Sequence, residues 1–517
     1  MRIPFSFPVS CARIKKRGRA REAAYPGLAQ GAPTADKEEI RYMEQQVFNP
    51  YLPNWEYIPD GEPHLFDGRV YLYGSHDRFN GKYFCMNDYV CWSAPENNLK
   101  DWRFEGVIWR SSDDPGDLKC SLKQMYAPDV VRGKDGRYYL YYFLGNSGVI
   151  GVAVSDTPAG RYEYLGRVRY PDGTLLGRNH EKDFHQFDPG VFRDDDGRIY
   201  LYTGFAPKYP SIFTSFRPVN RHGAMGAELE DDMLTVKLPL AHIAKSQHCS
   251  KGTGYEGHEF FEAASMRKFN GKYYFIYSSV NGHELCYAMG DSPLGEFRFA
   301  GTLVSIGDVG LAEKPLNYLG NTHGSIEKIG EKYYVFYHRQ TNRHCHSRQA
   351  CAEEIRMNED GTFAQSEITS CGLNGGPLEA KGTYDACIAC NLFSKKGVRF
   401  YRMRLPAGKH PYFTQTGEDR EGDGDQYIAN FCGGSTAGFK YFRFEGNRVV
   451  SVTFRGKAKG SVLVRTAPDG EPAARIAVDC GGKTASFSAP LSVPDGVSAL
   501  YFTFEGNGKP DFLSISF

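Results

Sequence analysis

The sequence lacks a strong charge imbalance and a membrane-length apolar run. Its 62 Lys and Arg and 61 Asp and Glu nearly cancel and leave a net charge of +1. This balance favours neither nucleic acid nor an anionic membrane surface as a partner, and it predicts a neutral ligand. No apolar run approaches the roughly 20 residues that span a bilayer. The sequence leaves the oligomeric state open.

A cysteine framework is also lacking. The 13 cysteines have no regular spacing, and an odd number cannot all pair. Free thiols in a reducing compartment explain them most simply, so we predict a cytoplasmic protein. The CxxC of Cys387 and Cys390 and the HCH tract at 344–346 have no second half at zinc-site spacing, so we predict no metal at either.

Residues 1–42 make a poor secretory signal. Their basic cluster follows the apolar stretch, which is short and contains two prolines. We interpret residues 1–42 as a disordered leader, or as the product of a wrongly assigned start with Met43 as the true first residue. A nuclear or organellar address is the alternative.

Five stretches share one plan, in which a strand, a tight turn and a second strand follow one another. The turn glycines lie 59–74 residues apart, at Gly68, Gly136, Gly197, Gly271 and Gly330. This period holds about four strands of five or six residues with their loops. The second strands are apolar on both faces, as in stacked blades. The predicted fold class is all-β, with a five-bladed β-propeller at residues 43–377.

A polar residue stands at the head of the first strand in each repeat. Seven to nine residues before the turn glycines are Asp60, Asp129, Asp188, Glu262 and His323. Rotational repetition places equivalent residues at equal radii, which predicts a ring around a central depression. The aspartates could instead only make turns, but Glu262 in "FFEAASM" has no turn to make.

Carboxylates gathered beside abundant aromatic residues indicate glycoside hydrolysis. That reaction needs a proton donor at the leaving oxygen and a base or nucleophile at the anomeric carbon. A third, ionised carboxylate can raise the pKa of the donor. Three carboxyl groups from three blades can therefore have three roles.

The three acidic segments resemble those of glycoside hydrolase family 43. "NPYLPNWEYIPDGEP" resembles the family's general-base segment at Asp60, with Gly61 in place of the usual proline. "FDPGVFRDDDG" resembles the segment of the pKa-modulating aspartate, Asp188, and "FFEAASMRKFNGKYYFIYSS" that of the general acid, Glu262. The resemblance implies an inverting enzyme, whose base and acid carboxyls stand roughly 6.5–9.5 Å apart.

Two further segments extend the resemblance across the propeller. "YAPDVV" resembles the family's Trp-Ala-Pro-Asp segment with Tyr126 in place of the tryptophan, and "GNTHGSIE" resembles the segment of a histidine at the site floor. The resemblance implies that Tyr126, Asp129 and His323 bind substrate, with Asp129 and His323 holding sugar hydroxyls directly or through water. It implies no required cofactor and leaves a structural calcium ion near His323 open.

Residues 383–517 do not continue the repeat. They contain short segments of alternating apolar and polar residues between Gly and Asp turns, and this pattern predicts a β-sandwich. The segments "YFRFEGNRVVSVTFRGKAKGSVLVR" and "SALYFTFEGNGKPDFLSISF" resemble a family 6 carbohydrate-binding module. Two roles remain open for this domain, which either binds a glycan or covers a face of the propeller.

The patterns predict a glycosidase whose partner is an oligosaccharide, and the resemblance implies that it inverts configuration. The expected reaction releases terminal arabinofuranosyl or xylosyl units from arabinoxylan or xylan fragments. The alternatives are an endo-arabinanase, a non-catalytic sugar-binding propeller, and a retaining enzyme for fructosides. "CMNDYV" lacks the proline of that last group's Asn-Asp-Pro nucleophile motif.

Overall fold

A computed structural model describes residues 46–116, 123–178, 185–210, 214, 216, 221–401, 406, 408–420, 425–446 and 448–517. The predicted leader at 1–42 lies outside these residues. The chain from Gln45 to Phe517 forms one compact unit. No helix among the described residues has the length and apolarity needed to cross a membrane.

Five antiparallel sheets follow one another along the chain, each with its strands in sequence order. The first contains β1 (Glu62–Phe66), β2 (Arg69–Tyr73), β3 (Tyr89–Pro95) and β4 (Arg103–Trp109). The second contains β5 (Met125–Arg132), β6 (Tyr138–Leu144), β7 (Ile150–Ser155) and β8 (Glu163–Arg167). The third contains β9 (Gly190–Arg193), β10 (Ile199–Thr203), β11 (Gly223–Glu228) and β12 (Ala241–Lys245).

The fourth sheet contains β13 (Phe260–Phe269), β14 (Lys272–Ser279), β15 (Glu284–Gly290) and β16 (Phe297–Ser305). The fifth has three strands in its described sheet, β17 (Ser325–Ile329), β18 (Lys332–Gln340) and β19 (Arg348–Ile355). These sheets are the five blades, and the predicted propeller is confirmed.

The two ends of the propeller meet between the fifth and first blades. Beside β19, Asn49 Nδ2 donates to the Ala352 carbonyl at 2.9 Å, and the Ala352 N–H donates to Asn49 Oδ1 at 3.0 Å. Gly61 forms a parallel bridge with Gly324 at the heads of β1 and β17. The segment before the first blade therefore closes the ring.

An apolar cluster fills the space between each neighbouring pair of blades. Between the first and second blades, for example, Tyr73 and Trp109 share a cluster with Leu140 and Tyr142. Each middle strand therefore buries both of its faces, and this explains why its sequence does not alternate.

The C-terminal strands form one ten-stranded sheet folded into two layers. They are β20 (Leu378–Glu379), β21 (Thr383–Asp385), β22 (Asn391–Phe393), β23 (Tyr412–Gln415), β24 (Gln426–Ala429), β25 (Thr436–Phe444), β26 (Val449–Arg465), β27 (Pro472–Pro490), β28 (Gly496–Gly508) and β29 (Asp511–Ser516). Short 3₁₀ turns occupy Gly372–Asn374 and Ala386–Ile388.

The long strand β26 joins the two layers of this sheet. Residues 451–455 pair with β29, whereas residues 458–465 pair with β28, and the register shifts at Gly456, where φ is 107°. The layers enclose one apolar core that includes Phe439, Phe454 and Phe502. This arrangement is the predicted sandwich, and its resemblance to a carbohydrate-binding module stays a prediction.

Candidate active site

Asp60 and Asp188 each stand two residues before the first strand of their blade. Both have left-handed backbones, with φ of 58° and 42°, and both are 4% exposed. His323 stands at the equivalent place before β17. Its Nδ1 lies 3.9 Å from Asp60 Oδ1 and 3.6 Å from Asp188 Oδ2. Asp60 and Asp188 are 128 positions apart in the chain, yet both carboxylates lie beside the same imidazole.

Glu262 joins these residues from the fourth blade. It is the third residue of β13, at a shift in the register of β13 against β14. The next residue, Ala263, has a φ of 70°, and its N–H donates to the Asp188 carboxylate. The structure therefore brings three predicted carboxylates from three blades into one site.

The three carboxyl groups differ in their pKa values. Burial, the largest single effect, raises the pKa of Asp60, but Arg348 and the neighbouring polar groups together outweigh it, and the pKa of Asp60 falls below its ordinary value. Burial and the nearby Asp60 raise the pKa of Glu262 to about 8. Burial and Glu262 raise the pKa of Asp188 well above its ordinary value. An ionised Asp60 therefore faces a pair, Asp188 and Glu262, that retains a proton near neutral pH.

Arg348 is a site residue that the sequence did not reveal. From β19 its Nη1 donates to Asp60 Oδ1 at 2.8 Å. Its Nε donates to Asp77 Oδ2 at 2.8 Å, and its Nη2 donates to Asp77 Oδ1 at 3.0 Å. Asp77 thus holds the guanidinium group at two points. Arg348 follows the HCH tract in the sequence. The only sequence signal for its role is that a charged residue stands at the start of a strand that is buried almost throughout.

Two histidines beside Asp60 are neutral. Burial lowers the pKa of His323 to about 4 and that of His338 to about 3. His338 Nδ1 accepts from the Asp60 N–H at 3.3 Å, so its Nε2 carries the proton and donates to the Asn321 carbonyl at 2.9 Å. His338 therefore fixes the Asp60 backbone without adding charge.

Asp129 does not reach the site surface. It is the fifth residue of β5 and is 0% exposed. Its Oδ1 contacts His64 Nε2 at 2.6 Å and accepts from the Val130 N–H, and its Oδ2 accepts from the Val191 N–H, both at 2.7 Å. These partners occupy both carboxylate oxygens, and the expected contact of Asp129 with a sugar hydroxyl, directly or through water, stays a prediction.

Tyr126 lies beside the acidic pair in an aromatic wall. It is half-buried, and its ring centroid lies 5.2 Å from that of Phe187 and 5.9 Å from that of Phe143. Burial first, then Cys85 and Asp188, raise the pKa of its phenol. Half-buried Phe261 continues this wall against Phe205 at 5.3 Å. Such a wall offers an apolar face to a sugar ring.

Glu62, the other acid near Asp60, is already paired with the buried Arg267. Glu62 Oε2 accepts from Arg267 Nη2 at 3.1 Å and from Ser265 Oγ at 3.0 Å. Glu62 Oε1 is 4.0 Å from His323 Nε2 and accepts no hydrogen bond from a described residue. Burial and Asp129 raise the pKa of Glu62 to about 8.

Glu62, His64 and Asp129 are close enough together to be considered as metal ligands. Calcium takes six to eight oxygen ligands. Here a guanidinium group holds one Glu62 oxygen, and an imidazole and two backbone N–H groups hold Asp129. These residues fit calcium poorly, and we assign no catalytic step to such an ion.

We predict no metal at the HCH tract or at the CxxC pair, and the structure describes both. The rings of His344 and His346 stack with centroids 4.0 Å apart. Cys387 and Cys390 are buried free thiols. A third cluster, His258, Glu284 and Cys286, also has metal-ligating atoms close together. There Glu284 Oε1 already accepts from Ser279, at 2.5 Å, and from Asn281, at 2.8 Å.

Comparisons with known proteins agree with this geometry. The model of glycosyl hydrolases family 43 matches residues 59–363. A xylosidase/arabinosidase of Thermoclostridium stercorarium is 49% identical over 482 residues, which cover 92% of this chain and 99% of that protein. A xylosidase/arabinosidase of Bacteroides ovatus is 32% identical over 56% of this chain and 87% of its own. Xylosidase/arabinosidase 43A of Humicola insolens is 32% identical over 59% of this chain and 95% of its own.

The family match covers all five blades and includes the segments that carry Asp60, Asp188 and Glu262. The first relative extends the similarity through the C-terminal sheet. This chain therefore belongs to glycosyl hydrolase family 43, and it is an enzyme that hydrolyses glycosyl bonds.

Proposed function

We propose that this enzyme removes terminal xylosyl or arabinofuranosyl units from xylan or arabinoxylan oligosaccharides with inversion of configuration. The observation that carries the proposal is the convergence of three carboxyl groups from three blades, whose surroundings shift their pKa values in different directions. An ionised Asp60 suits a base that activates water, and a protonated Glu262 suits an acid that protonates the leaving oxygen. The names of the relatives, which are xylosidases/arabinosidases, support the choice of substrate.

In this proposal Asp188 has a supporting role. It accepts a hydrogen bond from Ala263 and interacts electrostatically with Glu262. A negative charge at Asp188 opposes ionisation of Glu262, so the proton stays on the acid until it is transferred. Tyr126 is proposed to pack against the sugar, and His323 to contact its hydroxyl groups as a neutral imidazole.

The proposed reaction is tested with nitrophenyl β-D-xyloside and nitrophenyl α-L-arabinofuranoside. We expect turnover of one or both, and NMR of the first-formed sugar should show the anomer opposite to that of the substrate. Retention of configuration would overturn the inverting mechanism. Cleavage of internal arabinan bonds without turnover of either aryl glycoside would favour the endo-arabinanase alternative.

A non-catalytic propeller would bind sugar without turning it over. The variants Asp60→Asn and Glu262→Gln keep the shape of the site and remove its acid–base chemistry. We expect both to bind xylose or arabinose oligosaccharides with nearly unchanged affinity while hydrolysis falls by about 10²–10⁴-fold. Unchanged hydrolysis in Asp60→Asn would reject Asp60 as the base.

We also propose a cytoplasmic location. None of the eleven described cysteines forms a disulfide, and ten of them lie in or beside the packed core, as a reducing compartment allows. Recovery of the native protein mainly from the medium of its host cells would contradict this location.

A further inference from the structure

We infer that the C-terminal domain positions the proposed base, because Asp419 holds the loop whose Asp77 fixes Arg348 against Asp60. This loop, residues 74–88 between β2 and β3, is called the base loop below. The inference rests on the proposed role of Asp60. It gives the C-terminal domain a function in the reaction that is separate from glycan binding.

The first step connects the C-terminal domain to the base loop at two points. Asp419 lies between β23 and β24 and is half-buried. Its Oδ1 accepts from the Phe79 N–H at 2.6 Å, and its Oδ2 accepts from Asn87 Nδ2 at 3.0 Å. One carboxylate therefore ties together two points of the loop that are eight residues apart. Charge-assisted hydrogen bonds of this kind are among the stronger ones in proteins.

The second step leads from the base loop to Asp77. Asn87 Nδ2 donates to the Asp77 carbonyl at 3.1 Å as well as to Asp419. The Cys85 N–H donates to Asp77 Oδ1 at 2.8 Å. From the other side, the Tyr57 carbonyl accepts from the Asp77 N–H at 3.0 Å, and the Tyr57 hydroxyl donates to Gln415 Oε1 at 2.7 Å. Two residues of the C-terminal domain thus secure the segments that orient Asp77.

The third step leads from Asp77 to the base. Asp77 and Arg348 are buried and share three hydrogen bonds of 2.8–3.0 Å, including the one from the Arg348 N–H. The remaining guanidinium nitrogen, Nη1, donates to Asp60 Oδ1 at 2.8 Å. Because Asp77 fixes the plane of the guanidinium group, a shift of Asp77 would draw Nη1 away from Asp60. The base would then lose its neighbouring positive charge.

The charge on Asp60 depends on every group that faces it. These groups come from the first, third, fourth and fifth blades and from the base loop, and they are Arg348, His338, His323, Asp188, Glu262, Tyr89, Cys85 and Ser75. Arg348 is the cation among them, since both histidines are neutral and the thiol is protonated. Loss of its contact leaves Asp60 with acidic neighbours, so the pKa of Asp60 should rise.

The inference is tested by the pH dependence of kcat/KM in Asp419→Ala and Asp419→Asn. In Asp419→Ala we expect the acidic limb to move to higher pH by about 0.5–1 unit and kcat to fall about tenfold, with a smaller change in KM. The amide oxygen of Asp419→Asn still accepts from Phe79, so this variant should lie between Asp419→Ala and the unchanged enzyme. A purely structural role would lower the thermal midpoint without moving the acidic limb.

Asn87→Ala removes the hydrogen bonds that connect Asp419 to the Asp77 carbonyl, and it should shift the acidic limb in the same direction. Combined with Asp419→Ala it should add little, because both variants break the same connection. Fully additive shifts would mean that Asp419 and Asn87 act independently, and would overturn the path.

The matched control is Tyr441→Phe, which removes a hydrogen bond to Glu367 elsewhere on the same domain boundary. We expect its pH profile to match that of the unchanged enzyme. An unshifted acidic limb in both Asp419 variants, with Asp60→Asn inactive, would overturn this inference alone. An active Asp60→Asn would instead reject the proposed base.

Discussion

Three residues of the site have backbones that disfavour ordinary side chains. Asp60, Asp188 and Ala263 have φ of 58°, 42° and 70°, where each non-glycine residue costs on the order of 1 kcal/mol. The geometry persists because neighbouring blades fix both sides of each residue. Asp60 donates its N–H to His338, and Ala263 donates its N–H to Asp188. Local strain therefore accompanies the convergence of the carboxylates.

At this scale, Glu262→Gln tests the acid directly. The amide cannot donate a proton to a leaving oxygen, so hydrolysis of natural oligosaccharides should fall by about 10²–10⁴-fold. Nitrophenyl glycosides need little protonation and should lose much less activity. Steady-state kinetics on both substrate classes checks this difference, and an equal loss on both would argue against the role.

The pH profile is a second prediction at the residue scale. The pKa of Asp60 lies below its ordinary value because Arg348 and the neighbouring polar groups together outweigh burial, so the base stays ionised into the acidic range. The pKa of Glu262 is about 8, so the acid is lost as the pH rises through that value. We expect a bell-shaped kcat/KM with a basic limb near pH 8. In Glu262→Gln this basic limb should disappear, whereas its survival would assign the limb to another group.

The inner strands show how closely the blades approach one another. Gly190 opens β9, two residues after Asp188, and a Cβ placed there would lie 2.1 Å from the Ala264 carbonyl oxygen. Gly324, one residue after His323, faces the Phe336 carbonyl oxygen of the neighbouring strand in its own blade, where a Cβ would lie 1.9 Å from that oxygen. Glycine at these heads allows backbone to pack against backbone, and this brings the carboxylates within reach of one another.

Gly190→Ala should therefore separate β9 from β13. The clash is with backbone, so it cannot be relieved by a rotamer change, and overpacking of this kind costs about 1–3 kcal/mol. We expect a lower thermal midpoint together with a loss of activity, since Asp188 and Glu262 flank the displaced contact. Gly481→Ala is the control, because a Cβ there meets nothing within 4 Å. Full activity in Gly190→Ala would show that the site tolerates separation of the blades.

At the scale of the whole molecule, buried polar contacts join the propeller to the C-terminal sheet. The Nζ of Lys440, on β25, lies 2.9 Å from Asp308 Oδ2 and 3.4 Å from Glu367 Oε1. Arg339 of β18 donates to the Cys387 carbonyl at 2.7 Å, beneath the ring of Phe413. Breaking such contacts leaves charges buried without partners, which is strongly unfavourable. The two domains should therefore depend on each other for stability.

This dependence predicts one unfolding transition. Calorimetry of the full chain should show a single cooperative peak that includes both domains, although chains with two domains commonly show two. In Lys440→Met the single midpoint should fall, because Asp308 loses its buried cation. Two well-separated transitions in the unchanged protein would show that the domains unfold independently.

Much of the fold could be predicted from the sequence because its signals are local. Asp67-Gly68 and Asn270-Gly271 form hairpin turns with positive φ at both positions, as the DG and NG pairs indicate. The doubly apolar strands after these turns reflect burial between blades. The five-fold repeat of this hairpin predicts the propeller. The rotational symmetry of the propeller then predicts that Asp60, Asp188, Glu262 and His323 lie near one another.

The rest could not be predicted because it depends on depth and on contacts between distant segments. Asp129 obeys the same spacing as the other ring residues, yet its carboxylate contacts His64 and accepts from two backbone N–H groups. Arg348 and Asp77 have no motif, and their roles arise only when the fifth blade meets the first. The contact of Asp419 with the base loop joins residues 332–340 positions apart in the chain.

The sequence by itself determined the repeat, its turns and the type of residue at each strand head, because hydrogen bonding and burial within a hairpin are set by nearby residues. Tertiary structure decided which of those heads reach the cavity and which cation sets their charge. The physical reason is that desolvation and Coulomb energy depend on distance in space, and closure of the ring places the fifth blade and the C-terminal domain beside the first.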